Sequence, residues 1–358
     1  MNYRMTEVQP IKTLDASGTL LIDLNLKDVV SMLMFEYKNT RGSTTMADHL
    51  LSCLSSIALI DGSDVLFSLS GAEMHALDYF DKGKSPYLLN TNISGNMGLA
   101  ALNYNFGRFL WDPLLAFDPK RYSNPQLQLT FDRVTWDASS SAHTLRVIAF
   151  CFDEKVVSPS GFLRSKEVYG YTCGASGTTQ DILLPVGTPF RKLMVQAKAA
   201  AAYPWQVANI LYLSEDNDKR VPLNEYTSAW LKFINSLYPA YREGLQFGGT
   251  ATTMTVYATP YYDINIAGAL LAATAPLIIE KYPLNEPFTP NPGATTNGMF
   301  EVSGYEPHGC ILVPFGDQDD PDDWYDTSKV GTLLLRITAG SAGTNGTVKV
   351  VTQELKKY

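Results

Sequence analysis

The sequence has few of the residues, and none of the motifs, that usually identify an enzyme or a metal protein. The four cysteines are isolated from one another and form no C-x-x-C pair. A nucleophile elbow, a Walker loop and a dinucleotide fingerprint are also absent. No H-x-H or H-E-x-x-H spacing links the four histidines, which are His49, His75, His143 and His308. We therefore predict no catalytic residue, no cofactor, and cysteines that lie in the core as free thiols.

Positive charge and long apolar segments are scarce as well. The chain has 28 Lys and Arg against 36 Asp and Glu, which gives a net charge of −8. Nucleic-acid binding draws its free energy from counterions released by clustered cations, so direct contact with a genome is not expected. No apolar run reaches about 18 residues, and the N-terminus lacks the apolar core of a signal peptide. These absences predict a soluble protein made in the cytoplasm.

Residues that favour β structure are abundant. The 358 residues include 20 Tyr and 16 Phe, and the 26 Gly and 20 Pro can separate strands. A chain of this length can form two domains, each with its own hydrophobic core. We therefore expect many short strands distributed over two β domains.

The chain contains an internal repeat. Residues 57–80 align without gaps with residues 211–234, at a constant offset of 154. Both segments have the pattern of a strand, an acidic turn, a short second strand and an amphipathic helix. Ser70, with a Glu three positions later, predicts a capping box for the first helix, and Asn224 is the predicted N-cap of the second.

Each half also begins and ends alike. Upstream of the helices, at an offset of 160, five strand residues of one half match five of the other: Ile22, Leu24, Leu33, Met34 and Lys38 with Ile182, Leu184, Leu193, Met194 and Lys198. Each half ends with two β-rich runs joined by a polar turn, which we predict to be hairpins: 126–134 with 144–150, and 331–338 with 347–352.

The repeat predicts an all-β fold of two tandem jelly-roll β-barrels, each with a short flanking α-helix. The second half has about 95 residues between its helix and its final strands, against about 45 in the first, and insertions of this size usually have a function. The predicted organisation is an N-terminal arm 1–15, a first jelly roll 16–154, a linker 155–179, a second jelly roll 180–352 and a C-terminal tail 353–358.

Two tandem β-sandwiches with a helix in each, in an acidic chain without a catalytic motif, resemble the double jelly-roll major capsid proteins. These form the shells of tailless icosahedral viruses, including bacteriophages with an internal membrane. The resemblance covers roughly residues 15–352 and is one of architecture, not of a short motif. It implies a homotrimer whose six barrels form a near-hexagonal capsomer, located in the virion after synthesis in the host cytoplasm. Penton and minor capsid proteins would be its further partners.

The same resemblance assigns a place to the basic residues near the chain ends. It implies a mobile N-terminal arm at the base of the shell, with Arg4 and Lys12. The tail, with Lys356 and Lys357, would lie nearby and contact the headgroups of an internal lipid membrane. The alternative interpretation is that both termini are simply solvated and disordered.

One acidic segment, residues 317–326, has the chemistry of an ion site. Calcium prefers several carboxylates on a loop, although EF-hand spacing is lacking here. A solvated loop is the simpler interpretation, and a calcium site between subunits is the alternative. With Trp324 and Tyr325, the same segment leaves glycoside hydrolysis open. The candidate ligands are Asp317, Asp319, Asp320, Asp322 and Asp323.

A second class of function fits the same fold. Jelly rolls with aromatic-rich loops also serve as carbohydrate- or receptor-binding proteins, such as phage spikes and lectins. A shell protein should form trimers and polymerise, whereas a lectin would bind glycans without polymerising. The sequence favours the shell protein because the whole unit is duplicated.

Overall fold

The computed structural model describes residues 2–43, 46–248, 257–270, 277–282 and 297–358. Within these ranges the helices are α1 Gly71–Lys82, the one-turn α2 Pro204–Val207, and α3 Thr227–Leu237. None of the helices in the described part of the chain is long and apolar enough to cross a membrane. Strands form most of the remaining structure.

The described part of the first half forms nine strands in two facing sheets. One sheet has the order β1-β9-β3-β7 and the other β2-β8-β4-β5, while β6 extends the first sheet beyond β7. This crossing between sheets is that of a Greek-key jelly roll. The bounds are β1 Tyr3–Thr13, β2 Ser17–Asp23, β3 Val30–Thr40, β4 Leu54–Asp61, β5 Asp64–Leu69, β6 Leu88–Thr91, β7 Met97–Asn105, β8 Pro125–Asp132 and β9 His143–Phe152.

The second half repeats this order strand for strand. Its two sheets are β10-β22-β12-β19 and β11-β21-β13-β14, and α3 follows β14 as α1 follows β5. The strands are β10 Gly161–Thr172, β11 Thr179–Leu184, β12 Pro189–Lys198, β13 Ala208–Glu215, β14 Arg220–Tyr226, β15 Tyr241–Phe247, β16 Tyr262–Leu270, β17 Leu277–Tyr282, β18 Gly298–Tyr305, β19 Cys310–Pro314, β20 Tyr325–Asp326, β21 Leu333–Ala339 and β22 Thr347–Lys357. The predicted all-β double jelly roll is confirmed.

Each barrel has its own core, formed by the inward faces of its two sheets. β8 shows the pattern most clearly, because its apolar side chains are buried at alternate positions. Leu33 and Phe35 lie in the first core, and Leu193 and Val195 occupy the corresponding places in the second. Each such side chain contributes about 1.5–3 kcal/mol by leaving water.

The sheets of one half continue into the other. β15, in the insertion between α3 and β19, pairs in parallel with β6 of the first half. β10 of the second half meets β5 of the first through one parallel pair, Lys166 with Ser68. The two barrels therefore lie side by side with their sheets joined at the edges.

The second helix begins later than the gapless alignment predicts. α1 begins after Ser70, which forms the predicted capping box. α3 has Tyr226 at its N-cap, so the prediction of Asn224 is wrong. The cause is the preceding turn: two residues, 62–63, join β4 to β5, whereas four, 216–219, join β13 to β14. Equivalent positions therefore differ by 154 residues before this turn and by 156 after it.

The predicted hairpins are wrong, because the last two strands of each half lie in different sheets. β8 pairs with β2 and β4, whereas β9 pairs with β1 and β3. β21 and β22 are divided between sheets in the same way. Alternation identifies a strand but not its partner, and the connecting loops are long enough to cross the roughly 10 Å between packed sheets.

Both ends of the chain lie in sheets. Residues 3–13, expected in a mobile arm, form β1 along β9. The strand pattern is obscured there because β1 is an edge strand, largely exposed, with Pro10 at an irregularity of the pairing. The expected linker 155–179 contains β10, and the expected tail 353–358 contains the end of β22.

α1 lies between the two barrels, and nine of its twelve residues are buried. At its C-terminal end, the Asp81 carboxylate accepts hydrogen bonds from Arg191 Nη1 at 2.6 Å and from Lys192 Nζ at 2.5 Å. All three side chains are almost fully buried. Burial alone would raise the pKa of Asp81, but Lys192 and Arg191 outweigh it and hold the pKa below its usual value. One carboxylate of the first half thus pairs with two cations of the second.

We expect Asp81→Asn to lower the free energy of unfolding by about 3–5 kcal/mol, because it leaves two buried cations without a counter-charge. Denaturant titration followed by circular dichroism measures the change. Asp181→Asn is the matched control, since its ion pair with Arg336 is largely exposed and its loss should cost less than about 1 kcal/mol. Equal losses in the two variants would contradict the role given to Asp81.

Candidate functional site

The chemically reactive side chains are mostly enclosed in the cores. All four cysteines are buried and free, as predicted. Burial raises the pKa of the Cys310 thiol well above its usual value, which keeps the thiol protonated. In the part of the chain that the structure describes, no group of three or more His, Cys, Asp and Glu side chains could hold a metal ion. The candidate functional features are therefore the outer surfaces and the junction between the barrels.

Both termini lie at the same end of the molecule. The start of β1 lies beside the end of β9, which is next to the start of β3. Val30, the first residue of β3, pairs with Phe117, and the neighbouring Ala116 carbonyl accepts a hydrogen bond from the Tyr358 hydroxyl at 2.8 Å. We call this end of the molecule, which carries Tyr3, Val30 and Tyr358, the termini end.

Three of the four basic residues predicted to lie near a shell base or a membrane are at the termini end. Arg4 lies there in β1 and forms an ion pair with Asp28. Lys356 and Lys357 lie at the end of β22. Lys12 is eight residues further along β1, about 27 Å away at 3.4 Å per residue, at the opposite end. The four residues therefore do not form one patch.

Apolar side chains project from the termini end. Phe109, Leu110 and Leu114, in the loop between β7 and β8, are 50%, 39% and 42% exposed. Val156, between β9 and β10, is 95% exposed. Exposed apolar side chains grouped at one end of a molecule are typical of a surface that meets another protein or a bilayer interface.

The acidic loop between β19 and β21 uses its own carboxylates to close its turns. Asp323 Oδ2 accepts a hydrogen bond from the Asp317 amide at 2.6 Å, and Asp317 Oδ1 accepts one from the Asp319 amide at 2.9 Å. Asp320 Oδ1 accepts from the Asp322 amide at 3.0 Å. The five calcium candidates are thus arranged along the loop without converging on one point.

Trp324 anchors this loop to both halves. Its indole N–H donates to the Asp317 carbonyl at 3.0 Å. Its ring is buried in an apolar cluster with Leu115 and Leu163, and with Leu355 of β22. Because Trp324 is only 4% exposed, it offers little surface on which a sugar could stack.

Two grooves flank the acidic loop. The larger, of about 800 Å³, is lined by Asp322 and Lys356 among others. The smaller, of about 470 Å³, is lined by Asp323 and by Phe315 and Tyr325, whose rings stack at 5.0 Å. Asp322 and Asp323 line different grooves, so they do not face one substrate as the paired carboxylates of a glycosidase do.

Three histidines that are far apart in sequence meet in a buried cluster at the junction of the halves. His75 Nδ1 lies 3.0 Å from His308 Nε2, and the His49 ring packs edge-on against His308 at 4.8 Å. The Tyr241 hydroxyl lies 3.4 Å from His75 Nε2, and Thr259 Oγ1 lies 3.2 Å from His49 Nε2. Sequence analysis missed this cluster because no local spacing connects its members.

The hydrogen bonds of His49 require a neutral imidazole. His49 Nδ1 accepts from the Leu51 amide at 3.1 Å, so His49 Nε2 carries the proton and donates to Thr259. Thr259 in turn donates to the Glu243 carboxylate. Between His75 and the His308 ring, one nitrogen must donate and the other accept. Protons on both of these facing nitrogens would place two donors face to face.

The pKa values agree with these hydrogen bonds. Burial lowers the pKa of all three histidines, that of His75 to about 3. The positive charge of Lys198 adds to the effect on His49 and His308. Burial raises the pKa of Glu243 to about 7. At neutral pH the histidines are therefore uncharged, and acid adds positive charge to an enclosed site.

We expect His75→Gln to reduce the acid sensitivity of the fold. The pKa of His75 is about 3 in the folded chain, below the usual 6.5. Between these two pH values the unfolded chain therefore binds one more proton than the folded chain. Stability is lost as the pH falls below 6.5. Between pH 6.5 and 5 the variant should avoid a loss of about 2 kcal/mol, measured from unfolding at several pH values.

Glu243→Gln is the control with the opposite sign. Its raised pKa, about 7 against the usual 4.5, stabilises the fold at low pH, and this stabilisation is lost as pH rises from 4.5 to 7. The variant should flatten that part of the profile and leave the histidine-dependent loss in place. Identical pH profiles for wild type and His75→Gln would contradict this role, because they would mean that the pKa of His75 is the same in the folded and unfolded chain.

Comparison with known proteins gives matches in structure but not in sequence. No protein-family model matches the sequence, and no curated protein matches it. The STIV major capsid protein matches with a TM-score of 0.61 at 9% identity, over 99% of this chain and 96% of that one. The major capsid protein P2 from Bacteriophage PM2 gives 0.55 at 10% identity, over 99% and 98%. The PBCV-1 virus capsid gives 0.51 at 11% identity, over 99% and 94%.

Each match extends over nearly the full length of this chain and of the other protein. It therefore compares both barrels and their relative placement. The chain therefore has the double jelly-roll fold of these viral major capsid proteins, and the resemblance inferred from the sequence is confirmed. At about a tenth sequence identity, it is the arrangement of strands that is shared.

Proposed function

We propose that this chain is the major capsid protein of an icosahedral virus and forms a homotrimeric capsomer. The observation that carries the proposal is the pair of barrels with the same strand order, side by side across α1. Three such chains place six similar barrels around a threefold axis, which makes a near-hexagonal tile from one protein. Viral capsid proteins of the same two-barrel fold support this function.

The orientation follows from the places of the termini and the large insertion. β12 begins beside Asp326 and Glu354 at the termini end and runs towards Gln196, which pairs with Cys310 at the start of β19. The insertion 238–309 therefore leaves the second barrel at the far end. We infer that the termini end faces the interior and that the insertion forms an outward tower or contacts neighbouring capsomers.

The partners of such a tile are other copies of the chain, penton proteins at the fivefold vertices and minor capsid proteins. Its place is in the virion, after synthesis in the host cytoplasm. We propose no enzymatic activity, because the candidate carboxylates line separate grooves. We also propose no direct contact with nucleic acid, since the net charge is −8 and the acidic loop lies at the termini end.

A carbohydrate- or receptor-binding function is the alternative. The smaller groove supports it, because Phe315 and Tyr325 stack beside Arg220 and Asp323, a combination of aromatic and polar groups that suits a sugar. A protein of this kind would bind glycans on an array and remain unpolymerised.

Native mass measurement of the purified full chain tests the capsid function directly. We expect a trimer of about 118 kDa, three copies of 39.5 kDa, that persists on dilution to nanomolar concentration. The same preparation should form sheets or closed shells at high concentration. A monomer at every concentration, together with glycan binding, would favour the alternative function.

An internal lipid membrane is a further proposed partner, through the apolar and basic residues of the termini end. We expect Lys356→Glu with Lys357→Glu to weaken binding to phosphatidylserine vesicles at least about 30-fold, because each lysine near an anionic surface contributes about 1 kcal/mol. Co-sedimentation with vesicles measures the change. Lys12→Glu, at the opposite end of β1, should leave binding unchanged. Equal effects of the two substitutions would contradict the proposed orientation.

A further inference from the structure

The two helices that follow equivalent strands differ in how much of their surface is covered. α1 is enclosed between the barrels, with nine of its twelve residues buried. α3 has three buried residues among eleven, Thr227, Leu231 and Ile234. Within the chain, the second barrel covers α1, whereas nothing in the described part of the chain covers the outer side of α3 in the same way.

Contacts of α1 with the second half identify the face that the second barrel covers. Glu73 Oε1 lies 3.7 Å from Lys349 Nζ, and Asp81 Oδ1 lies 2.5 Å from Lys192 Nζ. Leu77 lies between Glu73 and Asp81 at i+4, on the same side of the helix. These three residues are the face of α1 turned towards the second barrel.

The strand registers give the equivalent face of α3. Leu59 pairs with Phe67, and the equivalent Leu213 pairs with Leu223, so positions after the turn differ by 156 residues. The helices begin at residues 71 and 227, with the same difference. Glu73, Leu77 and Asp81 therefore correspond to three residues of α3, Ala229, Phe233 and Leu237.

All three equivalents are apolar and face solvent. Phe233 is 51% exposed and Leu237 is 55% exposed, and Ala229 is exposed as well. We call Ala229, Phe233 and Leu237 the α3 stripe. The α1 face has a charged residue at each end, Glu73 and Asp81. The equivalent positions of α3, which remain uncovered in a single chain, hold the apolar residues Ala229 and Leu237.

The surface that receives α1 also has an equivalent. Met194 of β12 pairs with Val351 of β22, and both belong to the apolar cluster that contains Leu77 of α1. At the 160-residue offset, Met194 corresponds to Met34 of β3, which pairs with Ile148 of β9 in the same way. Met34 is partly exposed.

At a further position on these strands, the charged pair that joins α1 to the second barrel has apolar equivalents on both sides. Lys192, the partner of Asp81, corresponds to Met32 at the 160-residue offset, as Asp81 corresponds to Leu237. The charged pair within the chain is thus replaced on both sides by an apolar residue. We call the outer face of the first barrel the β3–β9 face; it consists of Met34 and Phe150, which are partly exposed, together with Met32 and Ile148, which are 6% and 9% exposed.

The strand edges beside these surfaces are also free in the single chain. Within the chain, β5 meets β10 through Ser68 and Lys166. Their equivalents, β14 and β1, are the terminal strands of their sheets, and each pairs with one neighbour among the described strands. A second copy could therefore bring β1 to β14 as β10 comes to β5.

We propose that the α3 stripe of one copy docks on the β3–β9 face of the next, repeating between chains the contact that α1 makes with the second barrel within the chain. This inference rests on the proposed trimer and names its contact. Repeating one barrel-to-barrel contact alternately within and between three chains closes a ring of six barrels.

The test compares the oligomeric state of the full-length wild type with that of two charge variants. Phe233→Asp and Met34→Asp change opposite sides of the proposed contact, and each should weaken trimer association at least about 100-fold, because a carboxylate would be buried against apolar surface. Lys232→Asp, on the neighbouring but off-stripe position of α3, is the matched control and should leave the trimer intact. Sedimentation velocity over a concentration series measures association, and circular dichroism confirms that each variant is folded.

The outcomes separate this inference from the proposed function. Folded monomers of both stripe and face variants, with a trimeric Lys232→Asp, support the contact. A wild-type trimer that persists unchanged in folded Phe233→Asp or Met34→Asp overturns the contact and leaves the capsid function standing. A wild type that is monomeric at every concentration overturns the trimer and the contact together.

Discussion

The shared carboxylate of Asp81 is the interaction on which the two-barrel arrangement depends. It belongs to the first half, and its two cationic partners, Arg191 and Lys192, belong to the second. A buried charge costs several kcal/mol unless it is neutralised and hydrogen-bonded, so a barrel displaced by a few ångströms would leave two cations unpaired. Apolar packing around α1 favours contact between the barrels, and this ion triad selects one relative position.

The histidine cluster acts on the same junction from the other side of α1. His75 of α1 contacts His308, which precedes β19, and Tyr241 of β15. These contacts join the insertion of the second half to the helix of the first, and β15 also pairs with β6. The junction is thus fixed by several directional contacts, which define the relative position of the two barrels.

The fold was predictable from sequence to the extent that its signals are local. Ser70 and its capping box lie within four residues, and the repeat is visible because equivalent strands keep their apolar pattern. A turn lengthened by two residues displaced the prediction of the second N-cap from Tyr226 to Asn224. Sheet partners, the edge strand β1 and the contact between His75 and His308 depend on residues up to 233 positions apart. No spacing in the sequence records such contacts.

The contrast between the two helices follows from how each contact would form. The barrels within a chain are covalently joined, so their effective concentration is high and the contact can use a buried ion triad that contributes orientation more than affinity. A contact between separate chains must overcome the loss of translational and rotational freedom, and apolar surface supplies that free energy best. The contact within the chain uses a charged pair, Asp81 with Lys192. At the position equivalent to Asp81, α3 has the exposed residue Leu237, and an apolar residue is what a contact between separate chains would need.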